Sequence, residues 1–401
     1  MKNLILCTNA YPGPNEEPFL AVEVPYLKKN FSKNYVQRYE TKLTPYDVSN
    51  IRMLNLRYNS MKLRTLLWRN KGLLIKAWLT ELFKSGRPLF YLSNMKRFIH
   101  IWVGWLQDSS AWEEALKSFD PKDTVIYSYW YENQAMPLTI LNAQNKLNFT
   151  WVSRAHGWDV DKRQRNDGVI PFRHWMLKHK PDKLVSISEF GKNIFNNDYN
   201  VDVQVQRLGT KDFGIASPTS LTDPLSIVSI SSLIPLKRVH LIIDCLKQCN
   251  VPIVWTHFGE GPLRGELLWE SLPKNIKVIR KGQLDHAQLL HELKNTPFDI
   301  MIHLSELEGI PVSIMECMSF GIPVIACDTG GISEIVDNDC GWLLPVNFEI
   351  ERVSNLLDEI VQNREIANQK RPLARAKWEK EYQADVNFPA FIHSFLSNNK
   401  K

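Results

Sequence analysis

Residues 299–345 read DIMIHLSELEGIPVSIMECMSFGIPVIACDTGGISEIVDNDCGWLLP. The pattern runs strand, acidic loop, helix, strand, glycine turn, helix. Asp299–Leu304 is a short apolar run of the kind that forms a strand buried in a parallel sheet. Ser305-Glu306-Leu307-Glu308-Gly309 is a polar loop ending in glycine. Pro311 is expected at the first helical position, where its missing N–H costs nothing. Val312–Ser319 then reads as helix, stopped at Gly321. Ile322–Cys327 reads as the next strand, and Thr329-Gly330-Gly331 as a turn into another helix.

Glu308 before the helix and Glu316 inside it frame this unit. Eight helical residues span about 12 Å, too far for two carboxylates to act on one bond. The spacing suits two carboxylates that grip opposite ends of an elongated ligand. Between them the helix N-terminus offers free N–H groups and a positive dipole end, a seat for phosphate. Two acids with an anion seat between them fit a nucleotide diphosphate sugar.

The whole segment resembles the signature of the family-4 glycosyltransferases, which pairs E-G-x-P-x-x-x-x-E with G-x-P-V-I-A, G-G-x-x-E and G-x-L. Here these are Glu308-Gly309-Ile310-Pro311 with Glu316, Gly321-Ile322-Pro323-Val324-Ile325-Ala326, Gly330-Gly331 with Glu334, and Gly341-Trp342-Leu343. The resemblance implies an α/β chain of the GT-B fold: two Rossmann-like domains facing each other across a cleft, with a C-terminal helix returning to the first. The expected domains are 1–212 on the acceptor side, a Ser/Thr/Pro/Gly-rich linker at 213–224, a nucleotide-sugar domain at 225–380, and the returning helix at 381–401.

A chain of 401 residues with 44% hydrophobic content can form two ordinary domains. No apolar run reaches membrane-spanning length. Met1–Thr8 reads as a first strand rather than a signal peptide, so a cytoplasmic protein is expected, with a peripheral place on the inner face of the cell membrane as a further expectation. The six cysteines form no C-x-x-C pair and suggest neither zinc nor a disulfide framework. The net charge of +6 is uneven: residues 51–107 hold eleven Lys/Arg and one acid, Glu81, which leaves −4 for the rest. The same stretch carries Trp68, Trp78, Phe83, Phe90, Tyr91, Phe98, Trp102 and Trp105. Basic residues among aromatics suit an anionic membrane surface, and equally a solvated helical face over buried rings. No nucleic-acid module is recognisable, so nucleic acid is not an expected partner.

Asn3–Thr8, the turn-rich loop around Gly13, and Phe19–Phe31 form a strand, loop and helix, the opening of a Rossmann-like domain. The resemblance places the Gly13 loop at the cleft, although a plain turn explains it equally. Residues 50–118 read as several helices. Trp151–Arg154 reads as a strand ending in Arg154-Ala155-His156-Gly157-Trp158-Asp159, which is similar to the family's R-x-H-G-x-D motif. That likeness gives His156 a contact with the donor sugar near the scissile bond. Asp159-Val160-Asp161 is also a D-x-D triplet, but no further acids cluster beside it, and Asp159 is expected to brace the loop.

After the strand Leu225–Ser231, Lys237 matches the family lysine that binds the donor diphosphate. The family's usual arginine five residues earlier is Ser232 here, so Arg238, Ser232 or backbone N–H groups are expected to compensate. Backbone near Gly282 is expected to meet the nucleobase. Glu308 is assigned to the sugar hydroxyls and Glu316 to the ribose. Gly309, Ile310, Pro311 and Val312 are assigned to the diphosphate. The resemblance thus implies a retaining glycosyltransferase that needs no metal or other cofactor. Its partners would be a nucleotide sugar and a saccharide or lipid-linked saccharide acceptor in surface polysaccharide or lipopolysaccharide assembly. A nucleotide-sugar epimerase on the same scaffold, or a non-catalytic module binding nucleotide sugar or membrane, are the alternatives.

Overall fold

The computed structural model describes residues 1–12, 17–39, 51–58, 63–221 and 223–396. They form two compact units. The first comprises Met1–Ile187 and Gly191–Gln206 with the chain from Ala390; the second comprises Arg207–Pro389 with Ser188–Phe190.

The first unit is built on strands β1 (Asn3–Thr8), β2 (Lys33–Arg38), β3 (Ile51–Met53), β4 (Thr124–Ser128), β5 (Thr150–Ala155), β6 (Lys183–Ser186) and β7 (Gln204–Val205). All neighbours are parallel, in the order β3-β2-β1-β4-β5-β6-β7. Side chains alternate across the sheet. Leu4 and Leu6 of β1 pack with Leu20 and Val24 of the helix Pro18–Asn30 and with Phe391, Ile392 and Phe395. Ile5 and Cys7 face the opposite core, which holds Trp102, Trp105 and Trp112 of the long helix Met95–Leu116. Between β3 and β4 the chain is helical at Leu63–Arg69, Lys71–Lys84, Pro88–Ser93 and Met95–Leu116, as the sequence pattern predicts.

The second unit carries β8 (Leu225–Ile230), β9 (Ile253–Phe258), β10 (Ile276–Gly282), β11 (Ile300–His303), β12 (Val324–Cys327) and β13 (Gly341–Leu344), all parallel, in the order β10-β9-β8-β11-β12-β13. Leu225 and Ile227 of β8 pack with Val239, Ile242, Ile243 and Leu246 of the helix Val239–Lys247 and with Val353, Leu357 and Ile360 of the helix Ile350–Gln362. In both sheets the order reverses beside the first strand. Loops leaving the two strands at that point diverge to opposite faces and open a crevice, the usual ligand position in such sheets.

Two sequence expectations shift. Pro311 is the residue before the helix rather than its first residue. Its ψ of 128° is extended, and Val312–Ser319 is the helix proper. Residues expected as a linker, 213–224, are instead built into the second unit. The Asp299 carboxylate accepts from the Thr219 N–H at 3.1 Å and hydroxyl at 2.8 Å, and from the Ser226 N–H at 2.8 Å. Arg364 binds the same carboxylate at 2.7 Å, and Arg371 donates to the Ala216 carbonyl at 2.6 Å. Composition alone reads as a linker, but the segment's polar groups have buried partners.

In the first unit Arg154 of β5 reaches Glu23 of the helix Pro18–Asn30 at 2.6 Å, with both side chains inaccessible to solvent. The guanidinium lies 4.1 Å from the Phe391 ring centroid. A buried pair adds little over an apolar replacement, but removing one partner strands the other charge. Glu23→Ala is therefore expected to lower unfolding free energy by about 3–5 kcal/mol in chemical denaturation. A loss below about 1 kcal/mol, the size of an exposed pair, would refute this account.

Candidate functional site

The crevice between β8 and β11 gathers the charged residues of the second unit. After β8 a short turn, Pro235–Lys237, presents Lys237, whose Nζ donates to Glu308 Oε1 in the loop after β11. His303, the last residue of β11, brings Nε2 to 3.0 Å from the same carboxylate oxygen and 3.0 Å from Ser305 Oγ. Burial on its own would raise the Glu308 carboxyl. The hydrogen bond from His303 and the charge of Lys237 more than offset this and hold it down at about 2. Glu308 is thus an anion at any physiological pH, suited to accept hydrogen bonds from hydroxyl groups and unsuited to donate a proton.

The loop is clamped by close backbone approach. A Cβ on Gly330, which has φ 59°, would lie 1.7 Å from the Glu308 carbonyl oxygen. The Gly331 N–H donates to the Gly309 carbonyl at 2.9 Å. The glycine pair after β12 is therefore required by the position of Glu308-Gly309. On the other wall, a Cβ on Gly259 (φ 134°) would lie 1.9 Å from the Ser231 carbonyl oxygen, which fixes the turn after β9 against the loop carrying Ser232. Ser232 is exposed in that loop.

Arg238 has a different role from the one its position suggests. Its guanidinium donates to the carbonyls of Leu304 at 2.7 Å and Val346 at 2.9 Å, and contacts Cys327 Sγ at 3.2 Å. It braces the crevice from behind, tying the start of the Glu308 loop to the chain after β13. Ile310 and Pro311 lead into the helix, whose first amides, Val312 and Ser313, precede any intrahelical acceptor.

Glu316 is buried within that helix and lies 2.5 Å from His286 Nε2. This hydrogen bond lifts His286 above the ordinary imidazole range, against the effect of burial. Asp285 adds to the lift and Lys211 opposes it. A cavity of about 280 Å³ opens beside Gly282, lined by Trp269, Arg280, Lys281 and Arg264. The Gly282 carbonyl accepts from the Gly259 N–H at 2.9 Å.

The remaining expected residues belong to the first unit. His156 follows β5 and is buried. Its ring packs 4.4 Å from Trp130 and 4.6 Å from Tyr129, centroid to centroid. The side chain faces the Asp159 N–H in a capping-box arrangement, and among the described residues neither ring nitrogen makes a closer hydrogen bond. Burial pushes its pKa below the ordinary value, and Asp159, 3.6 Å from Nδ1, only partly reverses that. The ring is neutral at pH 7. Asp159 braces the loop: Oδ2 accepts from the His156 backbone N–H at 3.0 Å, while Asp161 chelates Arg163. Gly13 lies outside the described residues. Glu17 stands at the other end of that loop and accepts from the N–H groups of Ala10 and Tyr11 and from Trp130 Nε1. Beside Trp158 is a cavity of about 770 Å³. There the Arg165 fork binds both oxygens of Glu132 at 2.7 Å and stacks 4.5 Å from the Trp158 ring.

Sequence reasoning missed His303, His286, Glu17 and Trp130. His303 alone carried a signal, as a polar residue closing an apolar strand.

The aromatics of residues 51–107 divide. Tyr91, Phe98, Trp102 and Trp105 are core. Trp68 is 69% exposed and Phe83 85% exposed, and Ile75 and Leu79 extend the solvent-facing stripe of the helix Lys71–Lys84 at helical spacing. Leu89 and Leu92 follow on Pro88–Ser93. No helix among the described residues is long and apolar enough to cross a membrane.

Residues 211–377 match the family model described as glycosyl transferases group 1. The chain resembles the group 1 glycosyl transferases. WcaL of Escherichia coli strain K12, named for colanic acid biosynthesis, is 29% identical over 209 residues, 48% of this chain and 50% of WcaL. The chain spans about half the length of the curated relatives it matches. The lipopolysaccharide outer core galactosyltransferase WaaB superposes with a TM-score of 0.68 at 15% identity, covering 98% of this chain and 99% of WaaB. Anabaena HepE, solved with UDP and glucose, gives 0.64 at 14% identity over 99% and 100%. These likenesses show that the fold is GT-B.

The depressed Glu308 carboxyl links the crevice to pH. Its contribution to stability is present above the ordinary carboxyl value of 4.5 and is lost as pH falls through about 2. Unfolding free energy measured from pH 6 to 2 is expected to fall more steeply for the native protein than for Glu308→Gln. Parallel curves would show that Lys237 and His303 do not hold the carboxylate.

Proposed function

We propose that the protein is a retaining, metal-independent glycosyltransferase. It moves a sugar from a nucleotide diphosphate sugar to a hydroxyl of a saccharide or glycolipid acceptor in surface polysaccharide or lipopolysaccharide assembly. One observation carries this reading: Lys237, Glu308 and the free N–H end of the helix Val312–Ser319 meet at the strand-order reversal of a parallel sheet. Such a crevice offers a cation and backbone donors to a diphosphate and a permanent anion to sugar hydroxyls. The group 1 match over this unit and the presence of UDP in the HepE structure support the same reading.

In the proposed reaction the anomeric carbon–oxygen bond to the diphosphate breaks, and the acceptor oxygen bonds that carbon from the same face. The acceptor proton passes to the departing phosphate oxygen. Lys237 and the Gly309–Val312 backbone stabilise the leaving charge. With Arg238 committed to carbonyls and Ser232 uncharged, Lys237 carries more of this task than a lysine–arginine pair would demand of it. Glu308 orients the sugar hydroxyls, and Glu316, freed from His286, binds the ribose. The cavity beside Gly282 receives the base. Buried His156 hydrogen-bonds the donor sugar, and the Trp158 cavity receives the acceptor, its indole face suited to sugar C–H groups. The basic, apolar surface from Trp68 to Leu92 rests on an anionic membrane, which fits a lipid-linked acceptor and a peripheral place on the inner face of the cell membrane.

Thermal unfolding with UDP, GDP and ADP, each with and without EDTA, tests the core of the proposal. A ligand at 100 times its Kd adds about 2.7 kcal/mol to the native state. The expected result is a shift with one base that EDTA does not change; no shift with any nucleotide would overturn the reading. Glu316→Ala is expected to weaken that nucleotide at least tenfold, and unchanged affinity would remove its ribose role. Lys237→Ala is expected to slow transfer by about 10²–10³, so near-native turnover would take Lys237 out of the mechanism. Co-sedimentation with anionic vesicles at low salt is expected, and should drop sharply in Leu79→Ser/Phe83→Ser; absence of binding by the native protein would reject the membrane role.

A further inference from the structure

A second cavity of the first unit, of about 510 Å³, has a lining that shares only Val169 with the Trp158 cavity. Its wall includes Arg173, which is 1% exposed. One nitrogen of Arg173, Nη2, donates to the Asp159 carbonyl at 2.6 Å, and the guanidinium lies 4.7 Å from the Tyr131 ring centroid. Its other two nitrogens, Nε and Nη1, have no hydrogen-bond partner among the described residues. Buried, charged donors without acceptors are costly, by about 1–3 kcal/mol each or more, and such groups cluster where a ligand completes them.

The surrounding charge favours an anion. Lys84, Arg87, Lys162 and Arg163 join Arg173 in the lining, against two carboxylates, Glu81 and Asp198. Both carboxylates are already answered. Glu81 accepts from the Trp175 N–H at 2.9 Å and the Tyr91 hydroxyl at 3.3 Å, and lies 3.0 Å from His174 Nδ1. Asp198 pairs with Lys162 at 3.0 Å and Asp161 holds Arg163 at 2.7 Å, so the excess of positive charge rests on Lys84, Arg87 and Arg173. The cavity is far larger than a free phosphate requires, and tyrosine and imidazole groups from Tyr91, Tyr199 and His174 line it beside the cations. Planar polar rings with a guanidinium fork suit a sugar that carries an oxyanion.

We infer that this cavity is a binding site for an anionic saccharide, its phosphate or carboxylate received by the free Nε–H and Nη1–H of Arg173 and its ring resting among Tyr91, Tyr199 and His174. The site is separate from the nucleotide crevice, which belongs to the other unit, and does not depend on the activity proposed above.

Calorimetry at low salt with glucose 1-phosphate, glucuronate, inorganic phosphate and neutral glucose tests it. Saturable binding of glucose 1-phosphate or glucuronate is expected, with inorganic phosphate at least tenfold weaker and glucose not binding. The anion that binds identifies its source as phosphate or carboxylate. Arg173→Leu is expected to weaken binding at least tenfold. If that variant does not fold, Lys84→Ala, on the exposed rim, is expected to weaken it several-fold. UDP stabilisation should be unchanged in both variants, so failure here and failure of the transferase reading are seen separately. No saturable binding of either anionic sugar, equal binding of glucose, or binding indifferent to both variants would overturn the inference.

Discussion

At the strand-order reversal of the second unit a shielded ion pair joins the two walls of the crevice. Lys237 and Glu308 leave adjacent parallel strands, β8 and β11, whose following chains diverge. Two further contacts cross the same divide: the Glu306 N–H donates to the Leu236 carbonyl at 2.9 Å, and Arg238 donates to the Leu304 carbonyl at 2.7 Å. The ion pair spans it while only about a fifth and an eighth exposed, respectively. Exposed pairs contribute little because water competes for both partners. This one is shielded, and its acid has a second donor in His303. The same shielding gives the site its chemical character. Charges held in place before a ligand arrives need not reorganise when leaving-group charge develops.

Other contacts hold the two walls so that this pair can form. Arg238 ties the β11 loop to the chain after β13, and Gly330 allows the β12 turn to lie directly against the Glu308 carbonyl. Neither group would bear substitution easily. A methyl group at Gly330 would overlap a backbone atom that cannot move without carrying Glu308 with it, and its positive φ is already strained for other residues. The residues that make the crevice work therefore extend well beyond those that face it.

Much of this was legible in the sequence. The apolar runs marked strands, the Glu308–Glu316 spacing marked a helix with an acid at each end, and the glycine pair marked a tight turn. These are local signals, and local periodicity survives in one dimension. What escaped was tertiary. His286 meets Glu316 thirty residues away, and nothing near either residue announces it. The segment 213–224 has a linker's composition, yet Asp299, Arg364 and Arg371 satisfy its backbone from elsewhere in the chain. Arg238 reads as a second diphosphate cation until its carbonyl partners are seen. The aromatics of 51–107 share one composition but divide between core and surface, because helical phase and not residue type decides which of them face water.

His156 shows what such tertiary placement costs and achieves. A buried imidazole with no close hydrogen bond to its nitrogens among the described residues lowers the stability of the unit. The surroundings nevertheless prevent it from turning away. Tyr129 and Trp130 pack against the ring, Trp130 is tethered through its indole to Glu17, and Asp159 holds the backbone at the start of the loop. The strand that delivers it is anchored two residues earlier by the buried Arg154–Glu23 pair. A side chain that was merely core would be expected to give up its nitrogens to the nearest carbonyl. This one is held in place by residues that also belong to the core against the sheet. That combination follows if the missing hydrogen bond is the one a ligand supplies.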